Sequence, residues 1–206
     1  VAPEVAEVLL NHQRDLADVG TFGAMTVLFA DIRNFTPLVQ QLKLEELRRL
    51  LNEFFHLLSE SISDHRGTLD KFMGDAALAV FGAPIQLAAP NVAALEAALD
   101  IQTRFEIMRQ RWLAQYPVLK DLGLGVGIGH GRLFFGNVGS SRRFDYTVLG
   151  PEVNIAERLA SEALAGQILL TAAVAADLPD SNVLDGPQLR LLRGMSTALP
   201  IYQVKR

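Results

Sequence analysis

Four side chains in this sequence have types and spacings that could do chemistry together. Asp31 closes the apolar run Met25-Thr26-Val27-Leu28-Phe29-Ala30, and Asp75 ends the tight Met73-Gly74-Asp75 turn. Two carboxylates held side by side repel unless something neutralises them. As hard oxygen ligands they suit Mg²⁺ or Mn²⁺. Taken singly, each would only end a strand or fill a turn. Further on, Gly150-Pro151 has the pattern of a helix start. Asn154 and Arg158 lie four residues apart and so share one face of that helix. An amide beside a guanidinium suits an anion, because arginine offers phosphate oxygens a fixed fork of donors. The alternative is a solvated face with an Arg158–Glu157 or Arg158–Glu162 pair.

The elements that must position these residues can be read from periodicity. The run 25–30 is a buried strand, and Leu44 to His65 is a helix buried along Leu47, Leu50, Leu51, Phe54, Leu57, Leu58 and Ile62. Thr68–Phe72 and Ala76–Phe81 form a hairpin. A second helix covers about Asn91 to Gln115, followed by strands at Leu122–His130 and Leu133–Val138. This order predicts an α+β fold: a ferredoxin-like βαββαβ core, an antiparallel sheet with its two helices on one face. A strand at Tyr146–Leu149, the helix from Pro151 to about Leu164 and a C-terminal β/α extension over 167–206 follow. In a βαβ unit the two parallel strands end at the same sheet edge. Asp31 ends the first strand there, and the hairpin turn brings Asp75 to the start of a third strand inserted between them. The topology therefore predicts that the two carboxylates meet. Glycines 123, 125, 127, 129 and 131 recur at period two, leaving one strand face bare for close approach of another backbone or helix.

Composition narrows the alternatives. The chain has 206 residues, half hydrophobic and 20% charged, enough for a core and too apolar for disorder. A net charge of −4 argues against general nucleic-acid binding. No cysteine is present, so disulfides and thiolate metal sites are excluded. This fits a reducing compartment, and a cytoplasmic domain is expected. No apolar stretch reaches the length of a membrane span, although a parent protein could be membrane-attached. His12, His56, His65 and His130 lack ligand spacing, and Trp112 and the phenylalanines read as core. Val5, Val8 and Leu9 suggest a helix and linker over residues 1–20, ahead of one domain over 21–206. The start at Val1 fits a piece of a longer protein with an upstream regulatory domain.

Four blocks together resemble the catalytic domain of class III nucleotidyl cyclases. They are Val27-Leu28-Phe29-Ala30-Asp31-Ile32-Arg33-Asn34-Phe35-Thr36, Leu69-Asp70-Lys71-Phe72-Met73-Gly74-Asp75, Asp145-Tyr146-Thr147-Val148-Leu149-Gly150 and Val153-Asn154-Ile155-Ala156-Glu157-Arg158-Leu159. They occur in the family's order and spacing and span nearly the whole chain. The resemblance implies conversion of ATP to cyclic AMP and pyrophosphate, with two Mg²⁺ or Mn²⁺ ions per active site. These would be held by Asp31, Asp75 and the Ile32 carbonyl. It implies that Asn154 orients the ribose and that Arg158 stabilises charge on the transferring phosphorus. Arg142, and more weakly Arg193 in Leu192-Arg193-Gly194, match triphosphate contacts. The family divides each site between subunits, so a head-to-tail homodimer with two equivalent sites is expected.

Lys71 and Thr147 match the family's base-reading positions. Lysine only donates, and a threonine hydroxyl can accept, which complements adenine N1 and the adenine 6-amino group. Thr147 resembles the Thr-containing subgroup that includes bicarbonate-responsive members, so bicarbonate is a candidate regulator. A guanylyl cyclase would typically carry Glu at position 71. A diguanylate cyclase would carry a different turn from Met73-Gly74-Asp75-Ala76. A catalytically inactive regulatory dimerisation module would usually lack a metal aspartate or the helix arginine, and this chain keeps both.

Overall fold

A computed structural model describes residues 5, 6, 10, 19–140 and 143–205, with the backbone alone at Arg143. The strands are β1 (Gly20–Arg33), β2 (Thr68–Met73), β3 (Ala76–Phe81), β4 (Gly123–Ser140), β5 (Arg143–Leu149), β6 (Ile168–Thr171), β7 (Leu184–Arg190) and β8 (Leu199–Val204). The helices are α1 (Phe35–Val39), α2 (Leu44–Asp64), α3 (Pro90–Leu113), α4 (Pro151–Glu162) and α5 (Ala172–Ala176). All strands join one sheet in the order β2-β3-β1-β4-β6-β8-β7, with β5 paired to β4. The first four strands have the ferredoxin-like order, and β3 lies between β2 and β1 as the topology requires.

Strand alternation divides the core into two layers. Leu28, Ala30 and Ile32 of β1, Ala77, Ala79 and Phe81 of β3, and Leu124, Val126 and Ile128 of β4 face α2 and α3. From α2 come Leu47, Leu50, Phe54, Leu57, Leu58 and Ile62, all buried. Its first turn is tied by Glu46, whose carboxylate accepts from the Lys43 backbone N–H at 3.1 Å. The opposite face carries Met25, Val27, Phe29, Leu78 and Val80, packed against Leu133, Phe135 and Val148 of the β4–β5 hairpin and Ala156 and Ala160 of α4. The two core helices thus share one face, and α4 covers the other. Val5 joins this second layer, whereas Val8 and Leu9 lie outside the described residues.

Two details differ from the sequence reading. The two strands expected around residues 122–138 are one continuous strand, because β4 pairs with β1 without a break from Gly123 to Gly136. The four core strands pair antiparallel as expected, and in the C-terminal extension β6 adds to β4 in parallel, joined through α4. Not every phenylalanine is core, since Phe22, Phe72 and Phe144 are exposed. Phe72 stacks on Phe55 at 4.1 Å, and Phe22 packs on Phe134 at 4.9 Å. Trp112 is buried and donates its indole N–H to Glu53. Among the described residues no helix is long and apolar enough to cross a membrane.

Candidate active site

Asp31 and Asp75 meet at one sheet edge. Asp31 is in register with Ala76, the neighbour of Asp75, and the Ile32 N–H donates to the Asp75 carbonyl at 3.2 Å. The β2–β3 turn needs Gly74, whose φ is +65°. N–H and C=O of one strand residue point to the same side, so the Ile32 carbonyl faces this turn rather than β4. Burial pushes the Asp31 carboxyl above its usual range; Arg33 opposes this, and the negative charges of Asp75 and Glu157 add to it. The Arg33 guanidinium pairs with Asp31 and also donates to the Ser161 carbonyl at the end of α4 at 2.6 Å.

This donor set fits a divalent ion of the Mg²⁺ type. It offers hard oxygens, net negative charge and an open edge. Among the described residues no cluster of three or more His, Cys, Asp or Glu side chains forms a closed cage. Mg²⁺ characteristically uses one or two carboxylates and completes its shell with water and substrate phosphate.

The β4–β5 hairpin folds back across the sheet so that β5 reaches β2, bringing Thr147 to Asp70, the residue before Lys71. Thr147 is buried, and its hydroxyl donates to the Asp70 carboxylate at 2.6 Å. The register between β2 and β3 shifts between Leu69 and Lys71, leaving Asp70 at a bulge. Bulges re-aim side chains, and this one turns Asp70 toward β5. Burial raises the Asp70 carboxyl; the Thr147 hydroxyl, Lys71 and the Val148 N–H act against that rise.

α4 begins at Pro151, directly after Gly150, whose φ of 152° favours glycine. It lies along the bare face of β4. Methyl groups added at Gly125, Gly127 or Gly129 would come within 3.0 Å of α4 or its C-terminal cap backbone. Ala156 and Leu159 are fully buried, which turns Asn154 to the exposed side and leaves Arg158 half-buried. No ion pair joins Arg158 to Glu157 or Glu162 among the described residues. Its guanidinium lies instead against Gly194, about 3.5 Å from where a Cβ would be. The Leu192-Arg193-Gly194 turn, with Gly194 at φ +73°, thus lies against the Arg158 guanidinium, and Arg193 in that turn is exposed.

Three groupings result: Asp31 with Asp75 and Ile32 at the sheet edge, Thr147 with Asp70 next to Lys71, and Arg158 with the turn that carries Arg193, Asn154 lying on the exposed side of α4. Arg142 lies outside the described residues. A groove of about 940 Å³, lined in part by Gln102, Arg109, Lys120 and Lys205, includes none of these residues. Sequence reasoning missed Asp70 and Arg33. The signals were a carboxylate inside a strand, directly before the base-reading lysine, and a guanidinium two residues after a metal-type aspartate.

Comparison with known proteins agrees with these motifs. The family described as adenylate and guanylate cyclase catalytic domain matches residues 18–189. The adenylyl cyclase CyaB from P. aeruginosa superimposes with a TM-score of 0.84 at 34% identity, covering 91% of this chain and 96% of that one. The guanylyl cyclase Cya2 gives 0.80 at 29% identity, covering 90% and 93%. An uncharacterized protein of Mycobacterium tuberculosis (strain ATCC 25618 / H37Rv) is 41% identical over 135 residues, which is 66% of this chain. The chain spans about 22% of the length of that relative. With a match over most of its length, this chain belongs to the class III adenylate and guanylate cyclase catalytic domain family.

Proposed function

We propose that the chain is an adenylyl cyclase that converts ATP to 3′,5′-cyclic AMP and pyrophosphate in signal transduction. The observation that carries this is the meeting of Asp31 and Asp75 at one sheet edge, with α4 close enough that Glu157 bears on Asp31. Asp31, Asp75 and the Ile32 carbonyl would hold two Mg²⁺ or Mn²⁺ ions. When bound, these supply the Lewis acidity that makes the 3′-hydroxyl a better nucleophile and neutralises the leaving pyrophosphate.

The chain's own residues do the rest. Lys71 donates to adenine N1, and Thr147 accepts from the 6-amino group. Asn154 orients the ribose so that its 3′-oxygen lies in line with the α-phosphorus. That oxygen gives its proton to solvent and bonds to the α-phosphorus as the bond from phosphorus to the pyrophosphate oxygen breaks, pyrophosphate leaving with that electron pair. Arg158 holds the charge that builds on the phosphoryl oxygens, and Arg193 and Arg142 hold the triphosphate.

Residues 21–206 form the catalytic domain in this reading, with residues 1–20 leading into it. The working unit is a head-to-tail homodimer in which the metal carboxylates of one subunit face Lys71, Thr147, Asn154 and Arg158 of the other. Exposed Phe22, Phe144 and Leu149 support such pairing, because they leave apolar surface for a second copy to cover. In this reading Thr147 matches the Thr-containing subgroup, which makes bicarbonate a candidate regulator, tested by titrating activity with bicarbonate at fixed pH. The test is product identification with ATP and GTP side by side in Mn²⁺. Cyclic AMP should dominate; cyclic GMP as the main product, or no cyclic nucleotide, would refute the reading.

A further inference from the structure

A threonine hydroxyl has one proton to give and two lone pairs that accept. It can therefore face either purine, accepting from the 6-amino group of adenine or donating to the 6-oxo group of guanine. A hydroxyl free to rotate discriminates poorly. In this chain the Thr147 hydroxyl is not free: Thr147 is 7% exposed, and its Oγ1 lies 2.6 Å from Asp70 Oδ2. In this contact the hydroxyl donates and the carboxylate accepts. Lys71 and the Val148 N–H beside it favour the charged form. Above its raised pKa Asp70 only accepts, so the proton between them is threonine's. Hydrogen bonds to a charged acceptor are roughly twice as strong as neutral ones, which fixes the rotor.

Asp70 reaches Thr147 only because β2 bulges there. In a regular strand, successive side chains alternate between faces. The register shift between Leu69 and Lys71 breaks that alternation and brings the carboxylate under β5. The bulge thus aims Asp70 at Thr147 while Lys71 follows directly along the strand.

We propose that Asp70 is a positioning residue for base selection: by taking the Thr147 proton it presents only oxygen lone pairs to the purine, favouring a 6-amino base and rejecting a 6-oxo base. This rests on reading Lys71 and Thr147 as the base-contacting pair. It adds that the specificity of the threonine is set from behind, by a side chain that does not touch the nucleotide.

The experiment compares kcat/KM for ATP and GTP in the full chain with Mn²⁺. Asp70→Ala frees the hydroxyl to donate and should shift the ATP/GTP ratio toward GTP by about tenfold, the order of one mismatched hydrogen bond. Asp70→Asn keeps an acceptor oxygen facing Thr147 and should hold the ratio near that of the unmodified chain. Thr147→Val removes the rotor, so it should lower the ratio by itself. Adding Asp70→Ala to it should change the ratio no further. A purely structural role would lower both substrates together and leave the ratio intact. An unchanged ratio in Asp70→Ala or in Thr147→Val, or an equal further shift in the double variant, overturns the inference while leaving the cyclase reading standing. An unmodified chain that turns over neither nucleotide overturns both. If Asp70→Ala fails to fold, Asp70→Leu, which also removes the acceptor but fills the space, should give the same shift toward GTP, and an unchanged ratio in it overturns the inference.

Discussion

Gly127 is where the sheet and α4 come closest, and substituting it should show how catalysis depends on that spacing. A methyl group at Gly127 would lie 2.2 Å from the Ala156 carbonyl oxygen, 2.4 Å from the Ala160 nitrogen and 2.8 Å from the Leu159 Cβ. The two nearest atoms are helix backbone and cannot rotate away. Restoring ordinary contact at 3.4 Å moves α4 by about 1.2 Å at that point. Ala156 lies between Asn154 and Arg158, so both site residues move with it. Overpacking of this kind costs about 1–3 kcal/mol. At about 2–4 °C per kcal/mol for a chain of this size, the unfolding midpoint should fall measurably. A displacement near 1 Å at a reacting geometry costs on the order of 10²-fold in rate. Gly129→Ala meets its nearest atom at 3.0 Å and should lose less; Gly23→Ala, with only the end of Met25 at 3.7 Å, should behave as the unmodified protein. Initial rates of cyclic nucleotide formation at saturating ATP and Mn²⁺, with thermal unfolding of each variant, test the order. A Gly127→Ala protein within twofold of the parent rate and with an unshifted midpoint would refute the argument.

Asp31→Ala and Arg158→Ala chains should each be inactive alone but recover about a quarter of the parental rate when mixed. Random pairing makes half the dimers mixed, each with one intact site of two; no recovery on mixing would show that the sites are not shared. Asp70 should also mark stability against pH. Because burial raises its pKa, the folded chain retains a proton that the unfolded chain has already released. Stability should therefore fall as pH rises from the ordinary carboxylate value of 3.8 through the raised one. Asp70→Asn should gain on the parent across that window in denaturant titrations, and a difference constant with pH would contradict the burial argument.

Much of the architecture is local and could be read directly from the sequence. The apolar spacing of α2 follows the helical period because one face must leave water, and Pro151 after Gly150 marks the start of α4 because proline suits a first turn. Period-two glycines on β4 announced a bare strand face, and α4 fills it. Even the meeting of Asp31 and Asp75 follows from strand order, since chain direction decides which strand ends share an edge. What lay beyond the sequence depends on how elements curve and overlap. The continuity of β4 depends on pairing with β1, which no local pattern reports. The contact between Asp70 and Thr147 requires a bulge in β2 and a hairpin folded across the sheet, bringing together groups 77 residues apart. Arg158 finds Gly194 only once β7 and β8 are in place. Periodicity fixes which face a side chain takes; only the packed tertiary structure decides which distant group it meets there, because those contacts arise from strand twist and layer packing that a linear pattern does not encode.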